Sequence, residues 1–334
     1  MKDNLLMMIV ILFLIEILLK NVKLRKNKSD FFDKETTNSL RGFWSIVILL
    51  VHVPPVYQNR IQDMIGSFAY IGVTFFFMTS AYGVTFCETK IEEKDFWKKR
   101  ILKILVPCIV SNCIYVIFKM IREKNFLVIE IFRINLWVQW LLFCYFILWL
   151  NNKFISKKHR DLVTYIIIIL VSLGIYFLKK VNVINQVTWC TEIYGFIYGI
   201  LMVKYRKDLV EILSSKWRKK TVIICFLAII IGIGYLKYKG IVFLGDYLLK
   251  ILLGIIILLY MIILNINIKI GNKLNKFLGD ISYEIYLIHG ITFIILSNIY
   301  PNSGSGMFII FSIIITIILS KICKMVSELI LRKV

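Results

Sequence analysis

Acidic residues are scarce in this chain. Twenty Asp and Glu stand against 42 Lys and Arg, a formal net charge of +22 over 334 residues. Histidine occurs three times and proline four times. The seven cysteines are scattered, with no CxxC pair and no Cys/His cluster, so neither a metal site nor a disulfide framework is expected. No Ser-His-Asp order and no nucleophilic cysteine stands out. The chain also lacks a Pro/Gly/Ser-rich linker and an internal repeat. Its longest polar segments are about twenty residues, too short to fold alone.

What is abundant is apolar length. Hydrophobic residues make up 59% of the chain, mean hydropathy is +0.79, and the excess is gathered into runs of membrane length. The expected fold is all-α, a polytopic membrane helical bundle, because helices satisfy their own backbone polar groups in lipid and open sheets do not. Eleven transmembrane helices can be drawn, near 4–20, 40–57, 65–87, 101–120, 135–150, 161–178, 186–203, 221–237, 246–267, 280–299 and 306–326. The first run follows Lys2 as a signal peptide would, but it lacks a small-residue cleavage site and is followed by a basic segment, so an uncleaved helix is expected. Glu16 within it is assigned no chemistry.

In a soluble protein a charge of +22 would suggest nucleic acid. Here the charges lie between hydrophobic runs, so topology and anionic membrane lipids account for them and no nucleic-acid partner is expected. Segment 20–39 holds Lys20, Lys23, Arg25, Lys26, Lys28 and Lys34. The next loop holds only Arg60, and the one after it Lys90, Lys94, Lys98, Lys99 and Arg100. Segments 151–160 and 204–220 are basic in the same alternation, while 179–185, 238–245 and 300–305 are poor in charge. The positive-inside rule then places the N-terminus outside and the C-terminus in the cytoplasm. One loop, near 121–134, goes against this pattern by carrying Arg122, Lys124 and Arg133 on the outer side.

Four stretches carry residues suited to chemistry. Arg41 and His52 are eleven residues apart in an apolar run. At about 100° per residue that is some 20° past three turns, with a rise of roughly 16 Å, so a helix sets both on one face. Arg41 would lie at the inner surface and His52 deep in the bundle, in the last turn before Pro54-Pro55 stop the helix. Ionisable groups inside a span are costly and mark function by default. A snorkelling arginine and a structural histidine are the alternative. In the second stretch, Gly72 to Gly83, small residues permit close approach, the Phe75–Phe77 run reads as packing, and Ser80 is a possible polar contact. In the third, Lys99, Arg100 and Lys103 share a helix face before Pro107 and suit a phosphorylated ligand, or lipid headgroups. In the fourth, Ser282 and His289 are seven residues apart on one face, with Glu284 well round the helix. His159 lies in a basic loop and reads as a solvated residue.

In this order the four stretches resemble membrane-bound acyltransferase family 3, which includes O-acetyltransferases of bacterial surface polysaccharides. Arg41 and His52 meet its Arg-x10-His helix. Gly72 to Gly83 is similar to its Gly-Val-x-Phe-Phe-x-x-Ser-Gly segment, with Ala81-Tyr82 where Gly-Phe is usual. Lys99 to Pro107 is similar to its Arg-Arg-x-x-Arg-Ile-x-Pro element, with two lysines for arginines and one extra residue before the proline. Ser282 to His289 matches its Ser-Tyr-x-x-Tyr-Leu-x-His element closely. The resemblance implies a ten-helix core in 36–334, with 1–35 an added helix and basic loop. It implies acetyl transfer from acetyl-CoA, as co-substrate rather than resident cofactor, to a carbohydrate hydroxyl across the membrane. In that scheme Lys99, Arg100 and Lys103 hold the donor. His52 acts as the base, Arg41 belongs to the catalytic set on the donor's side, and Ser80, Ser282, Tyr286 and His289 line the substrate pocket. The rival expectation is a transporter or flippase of a lipid-linked sugar, against which stands the absence of paired broken helices in the two halves.

Overall fold

The computed structural model describes residues 2–87, 93–124, 127–184, 189–301 and 304–333, with the side chains of 2–3, 93–96, 99 and 123 outside the description. Lys90 and the side chains of Lys94 and Lys99, expected in the basic segment, therefore lie outside the described residues, as does part of the expected outer loop 300–305. The helices are α1 (Lys2–Leu19), α2 (Lys34–Val51), α3 (Arg60–Gly66), α4 (Tyr70–Cys87), α5 (Glu93–Glu123), α6 (Leu136–Phe154) and α7 (Lys157–Lys180). They continue with α8 (Tyr194–Lys204), α9 (Arg206–Ser214), α10 (Trp217–Tyr238), α11 (Lys250–Asn267), α12 (Lys273–Asp280), α13 (Ser282–Ile299) and α14 (Ser305–Leu331). A two-residue ribbon, β1 (Lys23–Leu24) with β2 (Ile268–Lys269), pairs antiparallel. The all-α architecture expected from the hydropathy pattern is the one observed.

The count of eleven spans is met only in part. Seven helices among the described residues are long and apolar enough to cross a membrane, and the apolar parts of α1 and α8 are shorter. α2 and α6 are absent from the seven. Arg41 and the polar first turn dilute α2, and its helix stops at Val51 where Pro54 and a 3-10 turn, Pro55–Tyr57, follow. These helices are nevertheless packed inside the bundle, with Ile46, Leu49, Val138 and Cys144 at most 1% exposed. A helix that lies among other helices, away from lipid, needs no continuous apolar surface. The chain is a multi-pass membrane protein.

One end of the bundle is organised by Arg25, 8% exposed. Its guanidinium donates to the Asn265 carbonyl at 2.7 Å, the Asp30 carbonyl at 2.8 Å, Asp33 Oδ2 at 2.8 Å and Thr36 Oγ1 at 2.6 Å. A charge spread over that many acceptors no longer needs water. Asp33 is also the N-cap of α2, accepting from the Thr36 N–H at 2.7 Å. The same arginine thus ties the start of α2 to the end of α11. We call this the basic end, since it also carries α9 and residues 204–220.

α2 is then pressed against α12 and α13. A Cβ on Gly279 would sit 2.1 Å from the Asn38 carbonyl oxygen, so only glycine permits this backbone approach. Asn38 Nδ2 donates to Asp280 Oδ1 at 2.7 Å across the same junction, and Lys324 of α14 donates to the Asp280 carbonyl. α4 and α8 meet just as closely, for a Cβ on Gly195 would fall 2.0 Å from the Thr74 carbonyl oxygen. These contacts hold the functional segments of α2, α4 and α13 in one block.

The Arg25–Asp33 pair makes stability depend on pH. Burial alone would raise the Asp33 carboxyl, but the hydrogen bonds from Arg25 and Thr36 outweigh it and hold Asp33 below its ordinary 3.8. A depressed carboxylate contributes stability above its unfolded value and loses it as pH falls through the folded one. Asp33→Asn keeps an N-cap acceptor but leaves Arg25 without its counter-ion, and should cost about 1.5–3 kcal/mol at pH 7. Thermal unfolding in detergent should show that gap closing below about pH 4. A gap unchanged at pH 3 would mean that the charge of Asp33 contributes nothing.

Candidate functional site

Towards the basic end, α2, α4, α5, α6 and α13 surround a cavity of about 350 Å³. Arg41, Arg100 and Lys103 place three cationic side chains on its wall, and Ser80, Tyr145 and Tyr286 add hydroxyls. Arg41 comes from the third turn of α2, Ser80 from α4, and Arg100 and Lys103 from the third and fourth turns of α5. Pro107, inside α5, has no N–H for the Lys103 carbonyl. The Tyr283 hydroxyl, on the same wall, donates to the next carbonyl, that of Ile104, at 2.9 Å, and fixes α13 against α5. The guanidinium of Arg41 lies 5.8 Å from the Phe76 ring centroid, and its Nε is buried without a hydrogen-bond partner. An unpaired buried N–H of a charged group is costly, and the cavity it faces holds no acidic side chain among the described residues. Among the described residues the wall of this pocket is therefore net positive.

The two histidines lie further along. His52 caps α2, and its ring centroid is 5.1 Å from that of His289 on α13. His52 Nδ1 is 2.7 Å from the Ile48 carbonyl oxygen and His289 Nδ1 is 3.2 Å from that of Ile285. A carbonyl only accepts, so each Nδ1 carries the proton. In the neutral ring that leaves the Nε2 lone pair free to take one. Tyr286 joins the two regions, since it lines the cavity and its ring lies 5.7 Å from His289.

Several expectations need amendment. His52 is exposed instead of deep in the bundle. Pro54 ends α2 there, and the chain turns away without covering the ring. Arg41 and His52 are not brought into one cavity; Tyr286 and His289 span the interval. Ser282 is fully buried and donates to the Gly279 carbonyl at 2.8 Å, so it belongs to the α12–α13 turn and not to the cavity wall. The Phe75–Phe77 run packs as expected at Phe75 and Phe77, both 0% exposed, while Phe76 faces the cavity. The side chain of Lys99 lies outside the described residues. Trp137 and Tyr145 were not singled out as site residues. The Trp137 ring lies 4.8 Å from that of Tyr286, tilted by 49°, and its indole N–H is buried without a partner. In the sequence an aromatic residue of an apolar run reads as core; its place on the cavity wall together with the unpartnered indole N–H sets Trp137 apart.

A second, larger cavity, about 990 Å³, opens towards the opposite end. Leu136 and Leu287 line it, next to Trp137 and Tyr286 on the first cavity. The two therefore share α6 and α13 in their walls. Gly290, adjacent to His289, also faces this second space, and a Cβ there would meet nothing within 4 Å.

Residues 36–325 match the model of acyltransferase family 3, described as an acyltransferase domain. No curated protein and no solved structure matches the chain.

If Arg41 serves a ligand and not the fold, removing its charge should not harm stability. Replacing a buried ion by an apolar group of similar volume is commonly neutral or stabilising by about 1–4 kcal/mol. Arg41→Met should therefore unfold at or above the wild-type temperature while binding of an anionic ligand weakens at least tenfold. A fall of several degrees would make Arg41 structural.

Proposed function

The chain belongs to acyltransferase family 3, and from that footing we propose that it carries an acetyl group from acetyl-CoA in the cytoplasm to a hydroxyl of a surface or lipid-linked carbohydrate. In this reading the basic end faces the cytoplasm and the N-terminus lies outside. The supporting observation is the cavity with Arg41, Arg100 and Lys103 on its wall, connected through Tyr286 to the histidine pair. Its volume of about 350 Å³ falls in the range of small-molecule pockets. Arg100 and Lys103, at the mouth of α5, take the phosphates of the donor by charge-assisted hydrogen bonds. Arg41 sits further in, where a thin thioester arm would pass.

His52 is the general base. Its Nε2 takes the proton of the acceptor hydroxyl as that oxygen attacks the thioester carbonyl carbon. The C–O bond forms, the C–S bond breaks, and the thiolate leaves and takes the proton back from His52. His289, at 5.1 Å, positions the acceptor and holds the His52 ring in place. Ser80 and Tyr286 contact the transferred group.

Two measurements test this reading on purified protein in liposomes. His52→Gln keeps a hydrogen-bonding side chain but cannot take up the proton, so transfer should fall by about 10²–10⁴-fold while donor binding persists. Near wild-type transfer by the folded variant would remove His52 from the chemistry. Arg100→Ala with Lys103→Ala should weaken coenzyme A binding more than tenfold, at about 1.5–3 kcal/mol for each charged hydrogen bond. Unchanged affinity would leave those two residues as membrane anchors.

A further inference from the structure

The basic loop near 121–134 departs from the charge alternation of the rest of the chain, and the second cavity supplies a reason. Arg133 lines that cavity. Its backbone is held in place, since its carbonyl accepts from Asn112 Nδ2 at 2.7 Å and its N–H donates to the Glu130 carbonyl at 3.3 Å. Its guanidinium is exposed and makes no ion pair or hydrogen bond among the described residues. Glu130 is the one acidic side chain described on this wall, and Lys119 neutralises it at 2.9 and 3.2 Å. The wall therefore carries a net positive charge, and exposed Arg122 and Lys124 in the same loop add to the field. Trp189 gives the cavity an aromatic face, and Gln139 and Asn135 add polar groups. Gly290, next to His289 in the chain, also lines it.

Basic residues at this end work against membrane topology, so a positional role does not explain them. Exposed Leu127, Val128, Ile129 and Phe132 on the preceding 3-10 turn suit a membrane interface, which would keep this wall close to the bilayer surface. We propose that the second cavity is the acceptor site, and that it selects an anionic carbohydrate whose carboxylate or phosphodiester pairs with Arg133. The proposal rests on the acyl-transfer reading for its hydroxyl acceptor, but the charge preference stands on the cavity alone.

Binding can be measured without a donor, on the full chain in neutral-lipid nanodiscs. The probes are a galacturonate tetramer, its neutral methyl ester and a glycerol-phosphate oligomer. Wild type should bind at least one anionic probe tenfold or more tighter than the neutral ester, and the two anionic arms separate carboxylate from phosphodiester. Arg133→Gln should bring that ratio to about one, and Arg133→Lys should restore part of it. Thermal unfolding checks that each variant is folded. Equal binding of charged and neutral probes by wild type, no binding of either anionic probe, or a ratio untouched in Arg133→Gln would overturn the proposal. Thioester consumption is assayed separately on the same samples. Its absence alongside an intact charge preference would defeat the acyl-transfer reading and leave the anionic site standing. Transfer that proceeds equally to neutral acceptors, and in Arg133→Gln, would defeat the site and leave the reaction.

Discussion

The contact on which the site depends is the backbone approach of α2 to the α12–α13 junction. Gly279 leaves no room for a Cβ against the Asn38 carbonyl, and the Asn38–Asp280 hydrogen bond locks the register there. α2 and α13 come from distant parts of the chain, yet this junction sets how they run past one another. At one level it leaves Arg41 and Tyr286 on the same cavity wall. At the next it brings His52 against His289 at 5.1 Å. A shift of one residue along either helix would rotate these groups by about 100° and part them.

The polar groups inside the bundle fall into two kinds. Some are saturated: Arg25 donates to four acceptors, and Glu192 accepts from Lys250 at 2.7 Å and from Thr191 at 3.0 Å. In a medium that supplies no water, such groups contribute to a defined arrangement of helices and leave nothing for a ligand. Others are left incomplete, among them Arg41 Nε, the Trp137 indole N–H and Glu284 Oε2. Arg41 and Trp137 both border the basic-end cavity. Unsatisfied groups raise the energy of the empty protein, and a bound anion with acceptor oxygens relieves that cost.

The two cavities share α6 and α13 in their walls. In the proposed reaction the donor occupies the cavity at the basic end and the acceptor the cavity at the opposite end, so neither would need to cross the membrane. Trp137 and Tyr286, whose rings lie 4.8 Å apart, line the basic-end cavity, and their chain neighbours Leu136 and Leu287 line the other.

Much was legible in the sequence. Apolar run length gave the all-α bundle, since lipid accepts no other open arrangement of backbone. The eleven-residue spacing flagged Arg41 and His52, and the basic face of α5 and the Ser282–His289 element pointed to most of the groups described here. All of these are periodic or local signals. Of the eleven expected spans, seven are long and apolar enough to cross a membrane among the described residues, and α2, which carries Arg41 and a polar first turn, is not one of them. Only the tertiary structure decided that Ser282 serves a turn, that His52 stands at an open helix end, and that Trp137 and Tyr145 border the cavity. It also decided that Arg133 and Gly290 line one cavity. Those facts depend on which faces of helices far apart in the chain meet, and that is set by the close passage at Gly279, which has no periodicity of its own.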